Sequence, residues 1–76
     1  MAHELALHDR VRLLRETDGV PAESVGTIVL VYERAPGVGV ALDDRTLTAR
    51  IDGIVDVPDV ADLEFVPPRR ARAHAA

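Results

Sequence analysis

The residues that could carry chemistry in this 76-residue chain are three histidines, a scatter of aspartates, one serine and a tail of arginines. His3 and His8 stand beside Glu4 and Asp9, and imidazoles with carboxylates are a metal-binding combination. A fixed site needs three or four ligands on rigid elements, with hydrogen bonds behind them. Here a terminal segment would have to supply two, so these histidines read as solvated surface groups, as does His74 near the other end. Asp43, Asp44, Asp52, Asp56, Asp59 and Asp62 raise the question of calcium. Their spacing does not follow an EF-hand loop, and no Asp-x-Asp-x-Asp-Gly run occurs. They read as turn and edge residues whose charge discourages edge-to-edge pairing. No metal and no cofactor is expected.

Covalent catalysis needs a hydroxyl or thiol activated by a neighbouring base. Ser24 lies in a turn-rich segment with no glycine-framed elbow around it, and reads as turn chemistry. Gly37-Val38-Gly39 is too short to cradle a phosphate and leads into a strand pattern rather than a helix. With these readings no catalytic residue is assigned, and the chain is expected not to be an enzyme.

Two recognition chemistries remain. Tyr32 and Phe65 are the only aromatics, too few to line a groove for proline-rich peptides. Tyr32, at a predicted strand end, reads as a half-buried packing residue with its hydroxyl in water. All nine basic residues are arginine, and the net charge is −4. Residues 1–66 set six arginines against thirteen acids, a balance of −7, while Arg69, Arg70 and Arg72 make the tail +3. An acidic body repels a phosphate backbone, which argues against nucleic acid. The same surface suits a basic patch on a protein partner. The contact residues expected are Asp18, Glu23, Tyr32, Asp43 and Asp44.

The size of the chain allows one domain, burying roughly 60% of the surface its unfolded state exposes. Cysteine is absent, so no disulfide staples it. Nothing resembles a signal peptide, and no apolar stretch approaches the ~18 residues of a membrane span. A cytoplasmic protein away from membranes is expected.

Residues 1–7 form a lead. Asp9-Arg10-Val11-Arg12-Leu13 alternates with the period of a half-buried strand. Residues 16–24 collect turn formers around Asp18-Gly19 and Pro21. Val25–Glu33 is the strongest strand signal, dominated by β-branched residues. Gly26 at its start predicts a bulge or a close backbone approach at a barrel corner. Ala35-Pro36-Gly37 turns the chain into a third strand through Val38, Val40 and Leu42. After Asp43-Asp44-Arg45, the alternation of Leu47, Ala49 and Ile51 predicts a fourth strand, closed by the tight-turn pair Asp52-Gly53. Ile54–Val57 is a short strand, Val60–Leu63 suits a single 3₁₀ turn, and Glu64–Val66 closes the body. The tail, residues 67–76, is expected to be disordered.

Five or six short strands in fewer than seventy residues predict an all-β fold. A small closed barrel over residues 8–66 would remove the edges that an open sheet exposes. Its core is expected to comprise Val11, Leu13, Val25, Ile28, Val29, Val31, Val40, Leu42, Leu47, Ile51, Val55, Val57, Leu63 and Phe65. Truncating Val29 or Val31 to alanine would then cost roughly 2 kcal/mol or more.

The Asp9–Leu13 strand, the proline-containing loop and the Val25-Gly-Thr-Ile-Val-Leu-Val-Tyr32 strand together resemble a family of small bacterial proteins, catalogued as domain of unknown function 4926. The resemblance covers residues 5–66. Val40-Ala41-Leu42 replaces a Val-Glu-Phe triplet usual in the third strand. The Val-Gly-Thr-φ-Val element is similar to one found in SH3-like barrels broadly, among them the photosystem I subunit PsaE and KOW domains. What the resemblance implies is an SH3-like barrel, and it implies no activity. The leading expectation is therefore a non-catalytic protein–protein interaction or accessory module with an unidentified partner. The alternatives are a KOW-like nucleic-acid-binding domain and an antitoxin or immunity-type protein that neutralises a neighbouring toxin.

Overall fold

The computed structural model describes residues 5–33 and 36–67. His3, Glu4, Ala35 and the tail residues Arg69, Arg70, Arg72 and His74 lie outside them. The described residues form an all-β, SH3-like small barrel of five short antiparallel strands: β1 (Arg10–Leu13), β2 (Val25–Val31), β3 (Val38–Leu42), β4 (Ile54–Val57) and β5 (Leu63–Phe65). Two single 3₁₀ turns interrupt them, η1 (Arg45–Leu47) and η2 (Val60–Asp62). Sheet order is β4-β3-β2-β1-β5.

Alternation decides the two faces. Val11, Leu13, Ile28, Val40, Leu42, Val55, Val57 and Leu63 point to one side and form a single buried cluster with Val38 and Val20. That cluster draws on both end strands, β4 and β5, so the sheet must curl around it. Arg10, Thr27, Ala41 and Ile54 are successive register partners on the outer face. The ladders join β4 only to β3 and β5 only to β1, so hydrogen bonding leaves the barrel open between those two strands. A closed ladder was expected as protection for the edges. Here β5 is only three residues long, while β4 carries the exposed Asp56 and is followed directly by Pro58. A short strand, an edge charge and a proline blunt an edge without closure.

The expected strand at 46–51 does not form. Asp44 Oδ1 accepts from the Thr46 amide at 3.0 Å and from its hydroxyl at 2.5 Å, which starts η1 instead. Thr48 Oγ1 then accepts from the Arg50 amide, and the Gly53 amide donates to the Arg50 carbonyl to close a turn. These local bonds take the groups a ladder would have used. Leu47 still packs against the core, but Ile51 at the turn tip is 94% exposed.

The second strand also differs from expectation. Gly26 stays in register opposite Val11 and Leu42, and the shift falls at Val29, between Ile28 and Leu30. Gly26 marks a close approach: a β-carbon there would stand 2.5 Å from the Ala41 carbonyl oxygen and 2.7 Å from Val40 Cγ1. The shift turns Val31 outward to 54% exposure and leaves Val29 half-buried, so neither is the core residue expected. Val25 and Phe65 are also only half-buried, whereas Val20 and Val38, both outside the expected core, are buried.

Candidate functional site

The 14–24 loop contains a small hairpin. Thr17 and Val20 exchange backbone hydrogen bonds of 3.0 and 2.8 Å, with Asp18 and Gly19 between them at φ of +53° and +81°. Positive φ at both central positions is the type I′ arrangement, which Asp-Gly favours. Val20 carries the hairpin into the core and holds it down, so Thr17 and Asp18 stay at the surface in fixed positions. The 43–53 loop comes to meet them. Arg50 reaches Asp18 Oδ2 with Nη2 at 2.9 Å and Nε at 3.2 Å. Its Nη1 lies 3.6 Å from Asp56 Oδ2 on β4. The other oxygen of Asp56 accepts from the Tyr32 hydroxyl at 2.6 Å.

Four side chains from four segments thus form one chain of contacts, Asp18–Arg50–Asp56–Tyr32. Thr17, Asp18, Arg50, Asp56 and Pro58 enclose an open pocket of about 360 Å³. The neighbouring acids hold the Arg50 guanidinium above its ordinary range, the Asp18 hydrogen bond contributing most. The hydrogen bond to Asp56 pushes the Tyr32 phenol above its usual value, because ionisation would destroy the donor and place two negative charges together. As the only tyrosine in a chain without tryptophan, Tyr32 can be titrated by absorbance alone. Its midpoint is expected above the usual ~10, and to fall toward it in Asp56→Asn. Equal midpoints in the two proteins would show that the contact is not formed in solution.

Of the five expected contact residues, the structure brings Asp18 and Tyr32 together and places the other three elsewhere. Asp43 forms a two-pronged pair with Arg10, at 2.6 and 2.5 Å, which holds its carboxyl below the usual carboxylate range. Asp44 caps η1, and the Thr46 hydroxyl, followed by its amide, lowers its carboxyl similarly. Glu23 pairs with Arg12, which also binds Glu64. Leu13 bonds to both Glu23 and Ser24, which makes a bulge with Glu23 at φ +76°, a conformation where glycine is usual.

The remaining candidates have local roles. Ser24 Oγ donates to the Pro21 carbonyl at 2.7 Å. Asp52 and Asp59 accept from the amides of Ile54 and Ala61, and Asp62 lies 3.6 Å from Arg15. Asp9 accepts from the Ala6 amide, and His8 is exposed at φ +77°. Among the described residues no three of the metal-ligating types are grouped to hold an ion. Gly37, just before β3, and Gly39, within it, are buried.

Sequence reasoning missed Arg50 and treated Asp56 only as one acid among several. Arg50 lies 32 residues from Asp18, and the strand expected at 46–51 hid its role. Comparison with protein-family models, curated proteins and solved structures returns no match to the chain.

Proposed function

We propose that the chain is a non-catalytic protein–protein interaction module, of the small bacterial barrel type that its first two strands resemble, and that it contacts its partner at the pocket between the 14–24 and 43–53 loops. The observation that carries the reading is the pairing of that pocket with Ile51. A wholly exposed β-branched residue stands at the tip of a braced turn beside a concave surface whose charges are already ordered. Tyrosine and arginine are among the residues enriched at the centres of protein contacts. Tyr32, just past the end of β2, joins the site through its hydrogen bond to Asp56.

The arginines weigh against the nucleic-acid alternative. Each described arginine is already engaged: Arg10 with Asp43, Arg12 with Glu23 and Glu64, Arg15 with Asp62, Arg45 with the Ile51 carbonyl and Arg50 with Asp18 and Asp56. Phosphate contacts would have to displace these acids in a chain already at −4. No helix among the described residues is long and apolar enough to cross a membrane.

A photo-crosslinking amino acid at position 51 of the full chain, expressed in the cell that encodes it, is expected to yield a covalent adduct with a protein. The same group at position 6, exposed in the segment before β1, is expected to yield none. Absence of an adduct at 51, or equal adducts at both positions, would contradict the proposal.

A further inference from the structure

We infer that Asp18 is a site of spontaneous isomerisation to isoaspartate, a covalent change that unfastens the 14–24 loop from the 43–53 loop. This holds whatever partner the pocket takes. An aspartate followed by glycine can cyclise, because the next amide nitrogen lies within reach of the side-chain carboxyl and glycine has no β-carbon to crowd the approach. The chain has two such pairs, Asp18-Gly19 and Asp52-Gly53. The fold treats them oppositely. Gly53 is buried, its amide donates to the Arg50 carbonyl at 3.1 Å, and a β-carbon there would meet the Arg45 side chain at 2.9 Å. Asp52 is held as well, accepting from the Ile54 amide at 3.0 Å. Gly19 is exposed, with open space where a β-carbon would stand, and among the described residues nothing accepts from its amide. Both hydrogen bonds from Arg50 to Asp18 fall on Oδ2, which leaves Oδ1 outside the pair.

The Gly19 nitrogen attacks Asp18 Cγ. The N–Cγ bond forms, the Cγ–Oδ1 bond breaks, and the oxygen leaves as water with the amide proton and a proton from solvent. Water then adds at the main-chain carbonyl carbon of the cyclic imide and breaks its bond to nitrogen, returning one proton to that nitrogen and one to solvent. The chain now runs through Cβ and Cγ, and the former main-chain carbonyl is a free carboxylate. The water lost is regained, so neither oxidant nor reductant takes part. The main chain has gained a carbon and the carboxylate has lost its methylene. The type I′ turn at Asp18-Gly19 and the pair with Arg50 both depend on the original geometry, so both are broken.

The full chain, held at neutral pH and physiological temperature either folded or in guanidinium, tests this. Cleavage after arginine places Asp18 in the peptide 16–34 and Asp52 in the peptide 51–69. Fragmentation of each by electron transfer distinguishes aspartate from isoaspartate. In the folded chain isoaspartate should accumulate at Asp18 at least ~5-fold faster than at Asp52, the factor that one protecting hydrogen bond supplies. In guanidinium the two rates should converge, because the reacting dipeptide is the same. Methyl transfer from labelled S-adenosylmethionine by a protein isoaspartate methyltransferase counts the total product. Asp18→Glu, whose longer side chain cyclises far more slowly, should remove most of that label from the folded chain. Absence of isoaspartate at Asp18 in the folded chain, equal or reversed rates there, a contrast undiminished in guanidinium, or full labelling of Asp18→Glu would overturn the inference.

Discussion

Gly26→Ala is expected to destabilise the fold by about 3 kcal/mol and lower the thermal midpoint by roughly 12–24 °C, a large loss for one methyl group. The added β-carbon would stand 2.5 Å from the Ala41 carbonyl oxygen, with Val40 Cγ1 at 2.7 Å. Neither neighbour can give way cheaply. The Ala41 oxygen belongs to the β3 backbone, which is laddered to β2 on one side and β4 on the other. Val40 is 1% exposed in the middle of the core. Relief requires β2 and β3 to separate where Gly26 pairs with Leu42. Thermal unfolding followed by circular dichroism measures the effect. A midpoint within a few degrees of the parent would mean that the two strands do not approach as closely as described.

The second large effect comes from a contrast between two isoleucines. Ile28→Ala is expected to cost about 3–4 kcal/mol, because Ile28 is wholly buried and its removal leaves a cavity among packed valines and leucines. Ile51→Ala should change stability by no more than about 0.5 kcal/mol, as for other surface substitutions. Urea unfolding should give a shifted midpoint with unchanged slope for the first and an unshifted curve for the second. If Ile51→Ala were as costly as Ile28→Ala, the 46–51 segment would be a core strand after all.

The two isoleucines also mark where the fold was legible in the sequence. Strand signals at Arg10–Leu13, Val25–Val31, Val38–Leu42 and Ile54–Val57 depend on apolar periodicity and β-branching, and the structure keeps them. The 3₁₀ turn after Pro58 follows from Asp59 as its cap, which accepts from the Ala61 amide. The failure at 46–51 has a physical cause. Leu47, Ala49 and Ile51 alternate as strand residues do, but Asp44, Thr46 and Thr48 offer nearby backbone partners that win locally. Alternation reports which face an apolar residue would occupy in a strand, not whether the backbone is available to form one. Val20 escaped notice because a core residue inside a turn-rich loop has no period to announce it.

The site was legible only in pieces. Asp18-Gly19 announced a turn, and Tyr32 stood out as an isolated aromatic. Their connection runs through Arg50 and Asp56, across 32 residues of chain in one case and 24 in another, and only the folded sheet brings those positions together. Glu23, Asp43 and Asp44 stand out in the sequence only as acids in loops and turns. A charge in a loop does not reveal that one acid will pair with a strand arginine, another cap a turn, and a third occupy a bulge.

The account depends on the two loops forming one surface, with Arg50 as the tie between Asp18 and Asp56. The most direct test compares the crosslinked fraction from position 51 in the parent chain and in Arg50→Ala. With the tie removed and the core untouched, the fraction should fall at least several-fold while the circular dichroism spectrum stays the same. An undiminished crosslink in folded Arg50→Ala would contradict the claim that this pocket is the contact surface.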